Sequence, residues 1–426
     1  MKLLKRARFI CLAASLMLAG SLGVAHADTT LTVWSFWGDL GAKRDFIDKT
    51  VKLFEAAHPG TTVKVSWYDK NGLYAALKTA LRAGAGPDVF YAENDQVEYI
   101  DNELLLDLTD RLNWKNIEPW AKQAWTFNGK AYGLPLEVTT QEVYYNKKML
   151  ADLGFTLPPN RQFSQEQFLA LVKAAQAKGI TPISLGVGDR PYPGAFLPGE
   201  ALLKELGVKD YGRLFKGELK WSDPRVIKAL TFVKEVIDAG ALPKSISTMT
   251  LGEAHIYFYG TPGAVMFLNG SFYPSRAFNP PSRGGQPEDF PLGMMEFPAL
   301  DGAACNSCKT ISLGGSFVVN ATTKHPELAV QFLETMATPE MGELWASTVM
   351  GQSGIKADLS HISGPHAEYF KELKDVNSDA TFFIGQPVQI MRGAARDTFV
   401  QVLNQAFPAG LLTVPQVEQR MDSVKY

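Results

Sequence analysis

The sequence predicts an α/β protein of two lobes, each a mostly parallel sheet flanked by helices. Strand and helix signals alternate as β-α-β-α-β between residues 31 and 91, and a second block in the same style begins at residue 143. A chain of about 400 residues also exceeds what one compact core holds, with no low-complexity linker and no internal repeat to divide it otherwise. Leu31-Thr32-Val33-Trp34 reads as a short strand. Gly41 to Ala57 reads as a helix with Ile47, Val51 and Phe54 on one face, stopped by His58-Pro59-Gly60. Thr62 to Trp67 alternates as a strand, Gly72 to Ala83 is helical through Leu73, Leu77 and Leu81, and Asp88-Val89-Phe90-Tyr91 is a strand again. The second block opens on strand Val143-Tyr144-Tyr145. A helix follows from Ser164, with Gln167 at capping-box spacing, to about Gly179, then strand Pro182 to Leu185. Ser222-Asp223-Pro224 starts another helix, with Ile227, Leu230, Val233 and Ile237 on one side and Gly240 at its end, before strand Ala264 to Leu268.

The amino terminus has a different character. Lys2, Lys5, Arg6 and Arg8 precede the apolar run Phe9 to Val24, and Ala25-His26-Ala27 stands before Asp28. This is the pattern of a secretory signal peptide cleaved after Ala27, since the run is short for a span of roughly 20 apolar residues. Cys11 lies near the start of that run, behind Arg8-Phe9-Ile10, so it lacks the position of a lipid-anchored cysteine. Loss of the leader leaves 38 basic against 44 acidic residues, a charge of −6, which points to neither a nucleic-acid nor an anionic-lipid partner. Cys305 and Cys308 are then the only cysteines, and in an oxidising compartment a tight turn brings residues so spaced within bridging distance. A disulfide is expected there. The loop-like flanks do not suit a redox motif, and two thiols alone do not make a zinc site.

The common enzyme signatures are missing from the sequence. There is no G-x-x-x-x-G-K-[ST], Gly84-Ala85-Gly86 lacks the third glycine of a dinucleotide loop, and Gly351-Gln352-Ser353-Gly354 misses the nucleophile-elbow spacing. The histidines at 58, 255, 325, 361 and 366 show no metal-ligand spacing, so neither a cofactor nor a metal is called for.

Six pieces in order suggest a different class: Trp34-Ser35-Phe36-Trp37, Gly86-Pro87-Asp88-Val89-Phe90, Tyr132-Gly133-Leu134-Pro135, Tyr144-Tyr145-Asn146-Lys147, Asn269-Gly270-Ser271-Phe272, and Gly314-Gly315-Ser316 through Lys324-His325-Pro326-Glu327. Together they resemble the extracellular solute-binding protein family 1, which includes maltose- and trehalose-binding proteins. The resemblance covers nearly all of the mature chain. It implies the type II two-lobe periplasmic-binding-protein fold, a monomer in the periplasm, a sugar ligand, and delivery of that sugar to the membrane permease of an ABC importer. It further implies three crossings between lobes, near Leu134 to Thr140, Met295 to Pro298 and Ala337 to Pro339. One lobe would then hold residues 28–137 and 296–337, the other 138–295 and 338–426. The same clamp holding a polyamine, a glycerol phosphate or a metal complex is the alternative, and an exported glycoside hydrolase a more distant one.

A sugar offers apolar C–H faces and a rim of hydroxyls, so its site needs aromatic platforms and planar polar groups. Trp37, past the end of the first strand, and Phe272, where the family often has tryptophan, are the platform candidates. Asp39, Asn94 and Asp95 are candidate hydroxyl readers on the first lobe, though Asp95 also suits a helix cap. On the second lobe Asp189 and Tyr192 resemble the acidic-Pro-Tyr loop of maltose binders, and Asn269 and Arg392 occupy positions similar to ligand contacts. Glu137 and Thr139 fall at the first crossing, where hinge bonding competes with ligand contact. The pair Gly314 and Gly315 would let backbone N–H groups approach a ligand.

Overall fold

The computed structural model describes residues 29–94, 96–188, 196–360, 362–363 and 365–426. The leader with its cleavage point after Ala27, and the candidates Asp95, Asp189 and Tyr192, lie outside these residues, as does the side chain of Asp39. Fourteen strands are present among them: β1 (Thr29–Ser35), β2 (Thr61–Trp67), β3 (Val89–Ala92), β4 (Thr126–Phe127), β5 (Lys130–Ala131), β6 (Gly133–Pro135), β7 (Glu137–Asn146), β8 (Thr181–Ser184), β9 (Ala264–Gly270), β10 (Leu292–Met295), β11 (Cys308–Leu313), β12 (Ser316–Val319), β13 (Gln352–Ser353) and β14 (Thr381–Ile384).

Two larger sheets take up all of them but β4 and β5, which pair with each other, and the molecule has the two-lobe type II architecture. The first sheet runs β2-β1-β3-β12-β6, and the second runs β14-β11-β7-β9-β8 with β10 and β13 also on β7. Both are mixed rather than mostly parallel. β1 is parallel to β2 and β3, but β12 enters antiparallel between β3 and β6. In the second sheet β11–β14 and β8–β9 are parallel, whereas every partner of β7 runs against it. β7 is the reason: a strand that arrives directly from the other lobe has no crossover helix to turn it parallel.

The helices form for local reasons visible in the sequence. Gly41–Ala57 buries Phe46, Ile47, Thr50 and Phe54 along one stripe. Asp69 caps Lys70–Arg82 by accepting from Gly72 N, and Ser164 with Gln167 makes a complete capping box for Gln165–Ala177. The long segment Phe196–Phe215 has no periodicity that would predict it. It is buried almost all round and carries Glu200, Lys204 and Glu205 inside, so no amphipathic stripe marks it.

The crossings sit where the sheets exchange the chain. β6 ends in the first sheet at Pro135 and β7 starts in the second at Glu137, with only Leu136 between. The next exchange is at Gly314-Gly315, not near Met295 to Pro298. β11 completes its bonding with β7 and β14, which keeps 308–313 in the second sheet, and Phe297 and Leu300 pack in the second lobe's core. Nor does the chain leave the first lobe near Ala337 to Pro339. Met341, Trp345, Val349 and Ile355 fill that lobe's core, where Trp345 meets Phe46 edge-on at 5.2 Å. Cys305 and Cys308 are disulfide-bonded, with Cα atoms 5.4 Å apart, at the entrance to β11.

Candidate functional site

A cleft of about 340 Å³ opens between the lobes. Its floor is the crossing itself. Glu137 N donates to Gly315 O at 2.8 Å, Gly314 N to Glu137 O at 2.9 Å, and Gly315 N to Glu137 Oε2 at 3.2 Å. A Cβ on Gly314 would come to 3.1 Å from that carboxylate, and one on Gly315 would be driven into the Trp37 ring. Glycine at 315 is therefore a packing requirement, and at 314 a side chain would be tight. Lys43, in the first turn of Gly41–Ala57, forms an ion pair with the other oxygen of Glu137.

The wall on the first lobe comes from the carboxyl ends of β1 and β3, as an open α/β sheet dictates. Phe36 follows β1, and Tyr91 meets it edge-on at 4.7 Å. Tyr91 Oη donates to Glu93 Oε1 at 2.6 Å, and Lys70 Nζ lies 2.5 Å from the same oxygen. Burial alone would raise the Glu93 pKa. The charge of Lys70 and hydrogen bonds from Lys70, Tyr91 and Tyr74 outweigh it and hold the carboxyl below its usual range. Tyr91 is raised well above the ordinary phenol, by burial first and by the Glu93 charge second, so it remains a donor.

The opposite wall is built from Leu251, Phe272, Arg276, Gln386, Arg396 and Asn404. Gln386 is anchored on the floor through Ser312 Oγ at 2.9 Å. Asn404 belongs to the π-helical turn Val400–Ala406, is 1% exposed, and has no hydrogen-bond partner on either amide atom among the described residues. Such turns place side chains off the regular helical register, often at functional sites.

Of the residues singled out in the sequence, Glu137, Thr139 and Phe272 line the cleft together, and Gly314 with them. Gly315 lies under the floor and serves it through Glu137. Trp37 is corrected to core: it is fully buried, 5.3 Å from Phe317 and 5.4 Å from Trp345. The 3₁₀ turn Trp37–Asp39 folds the ring inward while Phe36 faces the cleft. Asn94 is also corrected, since it is buried and turns away to donate to Ala124 O at 3.0 Å. Asn269 is fully buried against His255 Nε2 at 3.0 Å. Burial, then the Arg276 charge, push that imidazole down to about 3, so it stays neutral and the contact is structural. Arg392 is exposed, bonds the backbone oxygens of Gln389 and Met391 at 2.7 and 2.9 Å, and is not among the residues lining the cleft.

The sequence reading missed Lys43, Lys70, Tyr91, Glu93, Arg276 and Asn404. Two rules would have found the first four. Tyr91 and Glu93 are two apart and share a face that Asn94 cannot share, and the opening turns of the helices after β1 and β2 face the crevice at the strand ends. Arg276 and Asn404 carry no comparable local signal.

Residues 49–358 match the model of the family described as bacterial extracellular solute-binding protein. Among curated relatives, the diacetylchitobiose binding protein DasA of Streptomyces coelicolor is 29% identical over 317 residues, covering 72% of this chain and 69% of its own. The multiple sugar-binding protein of Streptococcus mutans is 26% identical over 304 residues, 68% of each chain. Among solved structures, a chitin oligosaccharide binding protein superposes with a TM-score of 0.80 at 22% identity, over 93% of this chain and 98% of that one. The raffinose complex of RafE gives 0.70 at 20% identity, over 92% and 99%. At these identities the structures speak for the fold.

Proposed function

This chain belongs to the bacterial extracellular solute-binding proteins, and from that membership we propose that it captures a sugar between its lobes and delivers it to the permease of an ABC importer. The observation that carries this reading is the cleft's construction: one wall on each lobe, and a floor made of two of the crossings that tie the lobes together. A solute held there touches both walls only when the lobes close, so binding favours the closed form by the contacts that the open form lacks. Asn404 and Gln386 supply amide donors and acceptors of the kind that read hydroxyls, and Phe272 supplies an apolar face.

The protein so read is a periplasmic monomer whose leader is removed after Ala27. It carries the solute without converting it. Small-angle scattering of the mature protein with its cognate sugar is expected to show a smaller radius of gyration, with the sugar recovered unchanged. An unaltered scattering envelope at saturation, or a converted product, refutes the reading.

A further inference from the structure

Resting on the sugar reading above, we propose that the ligand is an acidic saccharide, one bearing a carboxylate, and that Arg276 is the residue that receives it. The charges facing the cleft do not balance. Lys43, Lys70 and Arg276 stand against Glu93 and Glu137, a surplus of one positive charge among these residues, in a mature chain that is net negative. On the first lobe the account closes pair by pair, Lys43 with Glu137 and Lys70 with Glu93. The surplus is therefore on the second lobe.

Arg276 differs from another part-buried arginine of that lobe, Arg161. Arg161 engages Glu372 and Asp375, whereas Arg276 forms no ion pair and no side-chain hydrogen bond among the described residues. Its guanidinium lies against the first turn of Leu251–Tyr259, where a Cβ on Gly252 would come to 3.2 Å from Nη1. Backbone N–H groups at a helix start add positive potential rather than cancel it. A planar cation in such a place is matched by a planar anion, because a carboxylate accepts two of its N–H groups at once.

The aromatic inventory points the same way. Neutral saccharides depend heavily on stacking, yet Trp37 is shut inside the core and Lys70 lies 5.4 Å from the centre of the Phe36 ring, on its face. Phe272 is left as the platform beside Arg276. Asn404, buried and unpartnered on both amide atoms among the described residues, reads the hydroxyls of the same ligand.

The test measures calorimetric affinity of the mature protein for digalacturonate, cellobiuronate and dimannuronate against galactobiose, cellobiose and mannobiose. An acidic member is expected to bind at least about tenfold tighter than its neutral counterpart, and raising the salt from low to high to weaken it more than the neutral one. Arg276→Gln is expected to erase the preference while the melting temperature without sugar holds, since Arg276 has no ion pair or side-chain hydrogen bond among the described residues to lose. A neutral disaccharide bound as tightly as its acidic counterpart, or a preference that survives Arg276→Gln, overturns the acidic ligand and leaves the sugar reading standing. Binding of none of the six sinks both.

Discussion

At the scale of single residues, burial decides which side chains serve the clamp and which serve the fold. Trp37 has no exposed surface and packs among Tyr91, Phe317 and Trp345. Trp37→Ala is therefore expected to lower stability by about 3 to 5 kcal/mol in chemical denaturation. A variant as stable as the parent would place the ring at the ligand after all. Glu200 makes a different claim. One oxygen accepts from Thr310 Oγ at 2.9 Å and the other has no partner among the described residues. Burial pushes its pKa up to about 7, against the weaker pull of Lys204. The folded state thus holds this proton more tightly than the unfolded one, so the stability it confers is full below the ordinary carboxyl pKa and is lost as pH rises through about 7. Glu200→Gln keeps the neutral form at every pH. It is expected to unfold with the parent near pH 4.5 and to be more stable at pH 8 by on the order of 2 to 3 kcal/mol. A gap that does not change between those two pH values would show that Glu200 is not the titrating group.

At the scale of elements, the crossing formed by β6, β7, β11 and β12 carries both the floor and the joint. Gly315 has no room for a side chain against Trp37 and Tyr91, so Gly315→Ala is expected to cost about 1 to 3 kcal/mol of stability by overpacking, measured by the same denaturation. Little or no loss would mean that the joint yields at no cost. The elements themselves were largely legible: the early strands and helices appear within a residue or two of their expected bounds, and the Ser164 and Asp223 caps are formed as the sequence suggests. The sequence pattern predicts β7 only from Val143 onward. Its first half, Glu137 to Glu142, is polar because it borders the cleft and a buried charge cluster, and a hydrophobic pattern cannot announce a strand of that kind. The lobe boundaries were misplaced for a related reason, since β11 and the helix Pro339–Leu344 take their lobe from distant pairing partners rather than from local pattern. Within the site, residues on strand-end loops were found by position, while the inward turn of Trp37 depended on the 3₁₀ geometry after β1.

At the scale of the whole molecule, neither lobe is a continuous stretch of chain. The second sheet nevertheless gathers β7 to β11 from residues 137–313 and adds β13 and β14 later, on β7 and at the sheet's edge. The first sheet must wait longer: β12, at Ser316–Val319, separates β3 from β6, and no earlier strand bridges them. Joining distant segments costs loop-closure entropy before any contact repays it, and slows folding. Pulse-labelling hydrogen exchange during refolding is expected to protect the amides of β7 and β9 before those of β3 and β12, and simultaneous protection would contradict this order. The same arrangement governs a chain that emerges amino end first. The sheet begun first lies in two unjoined parts until residue 319 is out, with β3 and β6 offering bare edges to any neighbouring strand. A binding protein made in quantity with this topology depends on being kept from its own copies during that interval.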